Sequence, residues 1–253
     1  MNLRIDDGDG VRLLTLNRPD VLNAFDTPLY QACADALNDA AARDDIAVVV
    51  ITGEGRAFSA GQDLAEMAAL ADPTATGAGA GHGFPVFVDA VMAFPKPLLA
   101  AVNGIGVGIG LTLLPHCDLV LIADTARLRG PFVPLGVVPE AAASVTLPAV
   151  MGAQRAAHLL FTGGWIDAEE AVAAGLALRS CPGDRLLDDT MTLAREIAAL
   201  PLASLVATKQ LLHAGRTDAR RAARAREDAE FARLTGAAAN REALASFLNK
   251  EGA

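Results

Sequence analysis

Glu140 is the strongest acid–base candidate in this 253-residue chain, in the run PFVPLGVVPEAAASVTLP from Pro131 to Pro148. Upstream lie two glycine-punctuated loops, FSAGQDL (Phe58 to Leu64) and NGIGVGIGLTLL (Asn103 to Leu114), both able to present bare backbone N–H groups. One carboxylate facing two sets of backbone donors suits proton transfer next to a carbonyl, because the donors stabilise the oxyanion that forms as the proton leaves. Glu140 also has a plain structural reading. It follows Pro139, and in the first turn of a helix an acid is favoured by the macrodipole. Both readings stand on these residues alone. The expected placement of both donor loops at strand ends of one core favours chemistry.

Other chemistries fit less well. Gly104, Gly106, Gly108 and Gly110 alternate, whereas dinucleotide binding needs G-x-G-x-x-G. A tight turn aiming helix N–H groups into a cavity fits better. Ser59 lacks the glycine two residues before it that a nucleophile elbow requires, since position 57 is Ala. Of the four histidines (His82, His116, His158, His213), only His116 sits near a strand end. The run His116-Cys117-Asp118 alternates faces and cannot converge on a metal, so it reads as a helix-to-strand junction. Cys33, Cys117 and Cys181 show no C-x-x-C spacing, which indicates neither a disulfide framework nor a zinc site.

The elements that must position these groups follow from patterning. Strands are predicted at Val11–Asn17, Ile46–Gly53, Leu98–Asn103 and Asp118–Ala123. Helices are predicted at 27–43 (capped by Asp26 or Thr27), 62–70, 84–94, 108–114, 141–151, 153–161 and 168–174, the last closed by Gly175. From about Asp184 the pattern is helical, broken at Pro201. The small, polar run Ala71–Gly83 reads as a mobile loop. Strand–helix alternation and then a helical tail imply an α/β core with a C-terminal helical region. Strand–turn–helix units recur every 45–55 residues or so.

The composition is 52% hydrophobic and 20% charged, that of a globular protein. A net charge of −9 disfavours nucleic acid as a partner. The nearly uncharged run Pro97–Pro115 approaches the length of a bilayer span, but its glycines and terminal prolines make it a buried strand, turn and helix. With no basic and apolar leader at Met1, a soluble, cytoplasmic protein with no membrane partner is expected.

Together these segments resemble the crotonase (enoyl-CoA hydratase/isomerase) superfamily over nearly the whole chain. NRPDVLNAF (Asn17 to Phe25) looks like its N-R-P-x-x-x-N-A signature, AFSAGQDL like its first oxyanion segment, and KPLLAAVNGIGVGIGLTLLPHCDLVLIAD like its second. PLASLVATKQLL (Pro201 to Leu212) and REALASFLNK (Arg241 to Lys250) are similar to its C-terminal helices.

The resemblance implies a spiral of ββα units over 1–195 and a helical oligomerisation region over 196–253, forming trimers or paired hexamers. It also implies acyl-CoA thioester substrates in fatty acid metabolism, with CoA part of the substrate rather than a separate cofactor. By position, the Ala60 and Ile109 N–H groups would hold the enolate oxygen, and Ile serves where most members have Gly if its side chain points away. Asn23, Ala24, Gln62, Asp63 and Leu64 would contact CoA through the backbone, with Arg18, Lys209 and Lys250 toward the phosphates and Ala71–Gly83 over the acyl pocket.

Thr112 and Phe132, at the acyl site, stand where hydratases of the family carry their two glutamates. The run V-G-I-x-x-T-L-L with a single Glu in a P-E segment is instead similar to the peroxisomal-type Δ3,Δ2-enoyl-CoA isomerases. That implies an isomerase in which Glu140 moves a proton from C2 to C4. A hydratase or other enolate chemistry on the same scaffold is one alternative. A catalytically retired acyl-CoA-binding scaffold is another.

Overall fold

The runs VVVITG and LLAAV carry no charged side chain on either face, as strands covered on both sides do. The computed structural model describes residues 1–71 and 83–251 and places both runs at the centre of one sheet. In chain order, β1 (Leu3–Gly8) and β2 (Val11–Leu16) precede α1 (Thr27–Ala42). There follow β3 (Val48–Gly53), β4 (Ala57–Ser59) and α2 (Leu64–Ala71), then α3 (Gly83–Ala93), β5 (Leu98–Val102), β6 (Ile105–Val107) and α4 (Ile109–Thr112). A 3-10 turn, Leu114–His116, continues α4 into β7 (Leu119–Ala123) and β8 (Arg127–Arg129). The remainder is α5 (Ala143–Met151), α6 (Ala153–Thr162), β9 (Trp165–Asp167), α7 (Ala168–Ala173) and β10 (Arg179–Cys181). It closes with α8 (Leu186–Ala198), α9 (Leu202–Ala214), α10 (Thr217–Leu234) and α11 (Ala238–Glu251).

The large sheet has the order β1-β2-β3-β5-β7-β10, parallel except for the β1–β2 hairpin. A second sheet has the order β4-β6-β8-β9, with only β9 antiparallel. The pairs β3–β4, β5–β6 and β7–β8 therefore each give one strand to the large sheet and the next, short strand to the small sheet before turning into a helix or loop. The even spacing expected of the units fails at the second interval, since β3, β5 and β7 begin at Val48, Leu98 and Leu119. The cause is α4, which is a single turn. Ala71–Gly83, expected as a loop over the acyl pocket, lies outside the described residues apart from its two ends. The apolar run Pro97–Pro115 forms β5, β6, α4 and most of the 3-10 turn, and among the described residues no single helix is long and apolar enough to cross a membrane.

The helices are placed by local chemistry. Asp26 caps α1 by accepting from the Leu29 N–H at 2.8 Å. Its buried stripe of Leu29, Tyr30, Cys33, Ala34, Leu37 and Ala40 packs against α3. At its far end, Lys96 Nζ donates to the carbonyls of Ala40 and Arg43, acceptors that a helix terminus leaves free, and to that of Ile46 in the link to β3. Helix α8 lies on β2, β3, β5 and β7.

The C-terminal helices are joined to this core through Asp118. Its carboxylate accepts from the Leu98 N–H (2.8 Å), Lys209 Nζ (2.7 Å) and His213 Nε2 (3.1 Å). Burial raises the Asp118 pKa, but these partners outweigh it and hold the group below the ordinary carboxylate value. Lys209, 7% exposed, also donates to the Lys96 carbonyl. Removing one member of a buried pair strands the other charge, at about 3 kcal/mol or more. Asp118→Asn should therefore lower the unfolding free energy by about 3 kcal/mol in urea titration. A loss below about 1 kcal/mol, the worth of an exposed pair, would refute that role.

Candidate active site

The two donor loops meet where β4 and β6 end. Each carries a left-handed glycine, Gly61 at φ +96° and Gly108 at φ +55°, a region that L side chains rarely adopt. They abut so closely that a Cβ on Gly61 would lie 2.9 Å from the Val107 carbonyl. After each glycine the chain reverses, and the next N–H is left without an acceptor among the described residues. Those donors belong to Gln62 and Ile109.

This corrects the first donor. The Ala60 N–H is engaged by the Leu22 carbonyl at 2.9 Å and is not open to a substrate. Two residues on, the Phe25 N–H donates to the Gly61 carbonyl and the Asp63 N–H to the Phe25 carbonyl. In a bridge of that kind the intervening Gln62 N–H faces the opposite side. The signal was present in the sequence, because Ile109 also follows the glycine of its turn. Its side chain is 1% exposed within the apolar core, so only its backbone faces the site.

Glu140 stands beside the second donor. A Cβ on Gly108 would lie 4.0 Å from Glu140 Oε1. The residue keeps a partial opening to solvent, yet protein packs densely around its carboxyl. That burial, reinforced by the carboxylates of Glu227 and Asp228, raises its pKa to about 8. The helix after it begins only at Ala143, with Ala141 and Ala142 both left-handed at φ 58° and 61°. Glu140 is therefore outside the helix, which removes the first-turn reading.

The remaining candidates divide. Asn23 is wholly buried and structural: its Oδ1 accepts from the Arg18 N–H and its Nδ2 donates to the Glu54 and Ala57 carbonyls. The Ala24 carbonyl accepts from Arg18 Nη1, and Arg18 pairs with Asp26 and Asp63. Asp63 also accepts from the Ala65 N–H at the start of α2, where Leu64 is the first residue. This cluster holds the Asn17–Phe25 loop against the Gln62 donor. Thr112 and Phe132 are buried, the first with no hydrogen-bond partner for its hydroxyl among the described residues. Lys209 lies in the Asp118 pair, which removes it as a phosphate contact. The Lys250 side chain lies outside the described residues. Ser59 Oγ donates to the Asn23 carbonyl and is fully buried, a structural role. Among the described residues no cluster of His, Cys, Asp and Glu could hold a metal. A cavity of about 440 Å³ beside His213 and Arg220 does not include Glu140, Gln62 or Ile109.

A two-sheet spiral of ββα units with a C-terminal helical region defines the crotonase class of fold. Residues 6–253 match the family described as Enoyl-CoA hydratase/isomerase, and the chain belongs to that family of enzymes. It is similar to the 2,3-dehydroadipyl-CoA hydratase of Escherichia coli, at 36% identity over 95% of this chain and 92% of the relative. Enoyl-CoA delta isomerase 2 of Rattus norvegicus is 37% identical over 80% of this chain, which spans about half (52%) of that relative. The crystal structure of an enoyl-CoA hydratase/isomerase from Pseudoalteromonas atlantica superposes with a TM-score of 0.92. It has 34% identity and covers 99% of this chain and 98% of its own.

The raised Glu140 pKa has a consequence for stability. The folded protein holds this proton more tightly than the unfolded chain, so Glu140's contribution is complete below the ordinary value of 4.5 and is lost as pH rises through about 8. Glu140→Gln should match the wild type near pH 4 and exceed its unfolding free energy by about 2 kcal/mol at pH 9, a figure reduced for partial access of water. A difference independent of pH would show that the carboxyl is not perturbed.

Proposed function

We propose that this protein is a Δ3,Δ2-enoyl-CoA isomerase. The observation that carries the reading is a single carboxylate, Glu140, placed against the turn that frees the Ile109 N–H. In a bound 3-enoyl-CoA, the Glu140 carboxylate takes a proton from C2. The C2–H electrons delocalise over the thioester oxygen, C2 and C4, and the Gln62 and Ile109 N–H groups hold the dienolate oxygen. The same carboxyl then returns the proton at C4, leaving the double bond between C2 and C3. A pKa near 8 suits a group that must serve as base and then as acid close to neutrality. Each oxyanion donor contributes about 3 kcal/mol to such a barrier.

Hydration needs a second carboxylate to act on the water, and neither Thr112 nor Phe132 can serve as a base. Of the neighbouring acids, Glu227 accepts from the Ser144 N–H and Asp228 pairs with Arg224. The delta isomerase relative supports the reading. We extend it to the assembly: Leu211 and Leu212 on α9 are 79% and 65% exposed, apolar surface that subunits of a trimer or hexamer would cover.

Glu140→Gln should lower turnover of a 3-enoyl-CoA by about 100-fold or more while leaving substrate binding intact. Wild-type kcat/KM should rise with pH to a plateau above about 8, as the carboxylate form becomes dominant. Crotonyl-CoA should lose its conjugated absorbance only slowly. Rapid hydration, or near wild-type turnover in the Gln variant, would overturn the isomerase reading.

A further inference from the structure

The turn that presents Glu140 is strained. Left-handed backbone costs a non-glycine residue about 1–2 kcal/mol, and here two alanines in succession adopt it, Ala141 and Ala142. Such a turn persists only where its surroundings over-determine it. Two buried side chains do so from different elements. On one side, Glu227 of α10 accepts the Ser144 N–H at 2.8 Å and takes the place of the side-chain cap that α5 lacks. On the other, His116 Nε2 lies 2.7 Å from the Ala141 carbonyl. A carbonyl only accepts, so Nε2 carries the hydrogen. His116 is 3% exposed, and burial lowers its pKa to about 4, so the ring is neutral. Its Nδ1 has no partner among the described residues.

The place of His116 in the chain gives this bond its meaning. Ile109, which frees the second donor, begins α4; the 3-10 turn Leu114–His116 continues that helix and packs on α5. Base and donor are therefore connected by eight residues of helical chain, 109 to 116, and one hydrogen bond. We propose that His116 is a positioning residue for Glu140, its Nε2–H on the Ala141 carbonyl fixing the carboxyl at the oxyanion donors. This rests on Glu140 as the base. The groups that surround the Glu140 carboxyl electrostatically are Glu227 and Asp228 from α10 and the neutral Tyr30 phenol from α1. Those acting on His116 are Arg220, His213 and Arg224.

The test compares His116→Gln, His116→Asn and His116→Leu in the full chain. Gln can offer an amide N–H near the place of Nε2, Asn only near that of Nδ1. With a 3-enoyl-CoA, His116→Leu and His116→Asn should lose about tenfold or more in kcat with KM within twofold, the signature of a displaced group rather than lost binding. His116→Gln should recover most of the loss. A folded Leu or Asn variant with kcat within twofold of the wild type overturns the proposal, and so does a Gln variant as slow as Leu.

A second measurement does not need turnover. In protein labelled with carboxyl-13C glutamate, with Glu140 assigned from the Glu140→Gln spectrum, the midpoint near 8 should fall in His116→Asn as the carboxyl gains water. It should return in His116→Gln. An unchanged midpoint in every variant overturns the positioning role. Failure of the wild type to isomerise any 3-enoyl-CoA would refute the proposed function alone, because this titration would still read the position of Glu140. If His116→Leu does not fold, the Asn and Gln pair decides the outcome.

Discussion

The site depends on two backbone amides that have no acceptor among the described residues, whereas buried amides in folded proteins nearly all do. Backbone N–H groups at the end of a strand ordinarily pair at once. Gly61 and Gly108 prevent this by turning the chain through left-handed conformations, so that Gln62 and Ile109 face a shared space. The small sheet exists in service of that arrangement. Its three-residue strands β4 and β6 are too short to add much stability, but they bring the two turns within van der Waals reach. The large sheet beneath supplies the rigidity. An unpaired donor is costly in isolation, and in the proposed reaction this cost is recovered when an oxyanion occupies the space.

The base obeys the complementary constraint. A carboxylate near two free donors would be drawn to them and would lose its basicity. Glu140 is kept basic by packing and by neighbouring acids from α10, so its charge is the unfavourable one. Donors and base thus oppose each other in the empty site. In the proposed reaction both become useful when a carbonyl arrives, since the proton would leave for the carboxylate as negative charge moves to the N–H groups.

Much of this was legible in the residues. The runs at Val48, Leu98 and Leu119 read as buried strands because they are apolar on both faces, and α1 because Asp26 and its stripe announce it. That Glu140 and the turn before Ile109 come together was legible as well. What failed depended on partners distant in sequence. Which N–H of SAGQ stays free is decided by the pairing of Phe25 with Gln62, and no local pattern encodes it. The start of α5 was misplaced because alanine favours helix, and here tertiary contacts from His116 and Glu227 override that preference in Ala141 and Ala142. The strands β4, β6, β8, β9 and β10 were missed because three residues cannot display an alternating period, and β1 because its run LRIDDG is charged and mostly exposed. Lys209 resembled a surface cation only while its partner, Asp118, was unknown.

One chain of contacts links α1 to α9 and α10. The end of α1 gives its carbonyls to Lys96, whose own carbonyl accepts from Lys209. Lys209 pairs with Asp118, Asp118 with His213, and His213 Nδ1 accepts from Arg220 at the start of α10. Each step is buried or nearly so, and each includes a group that is costly to leave alone. Amide exchange is governed by the smallest piece that can open independently. Here α9 cannot lift away without exposing an ammonium's buried partner, nor can α1 fray past Ala40 without releasing Lys96. Helices α9 and α10 and the helix near the chain's beginning therefore open together, as one cooperative unit with the sheet between them.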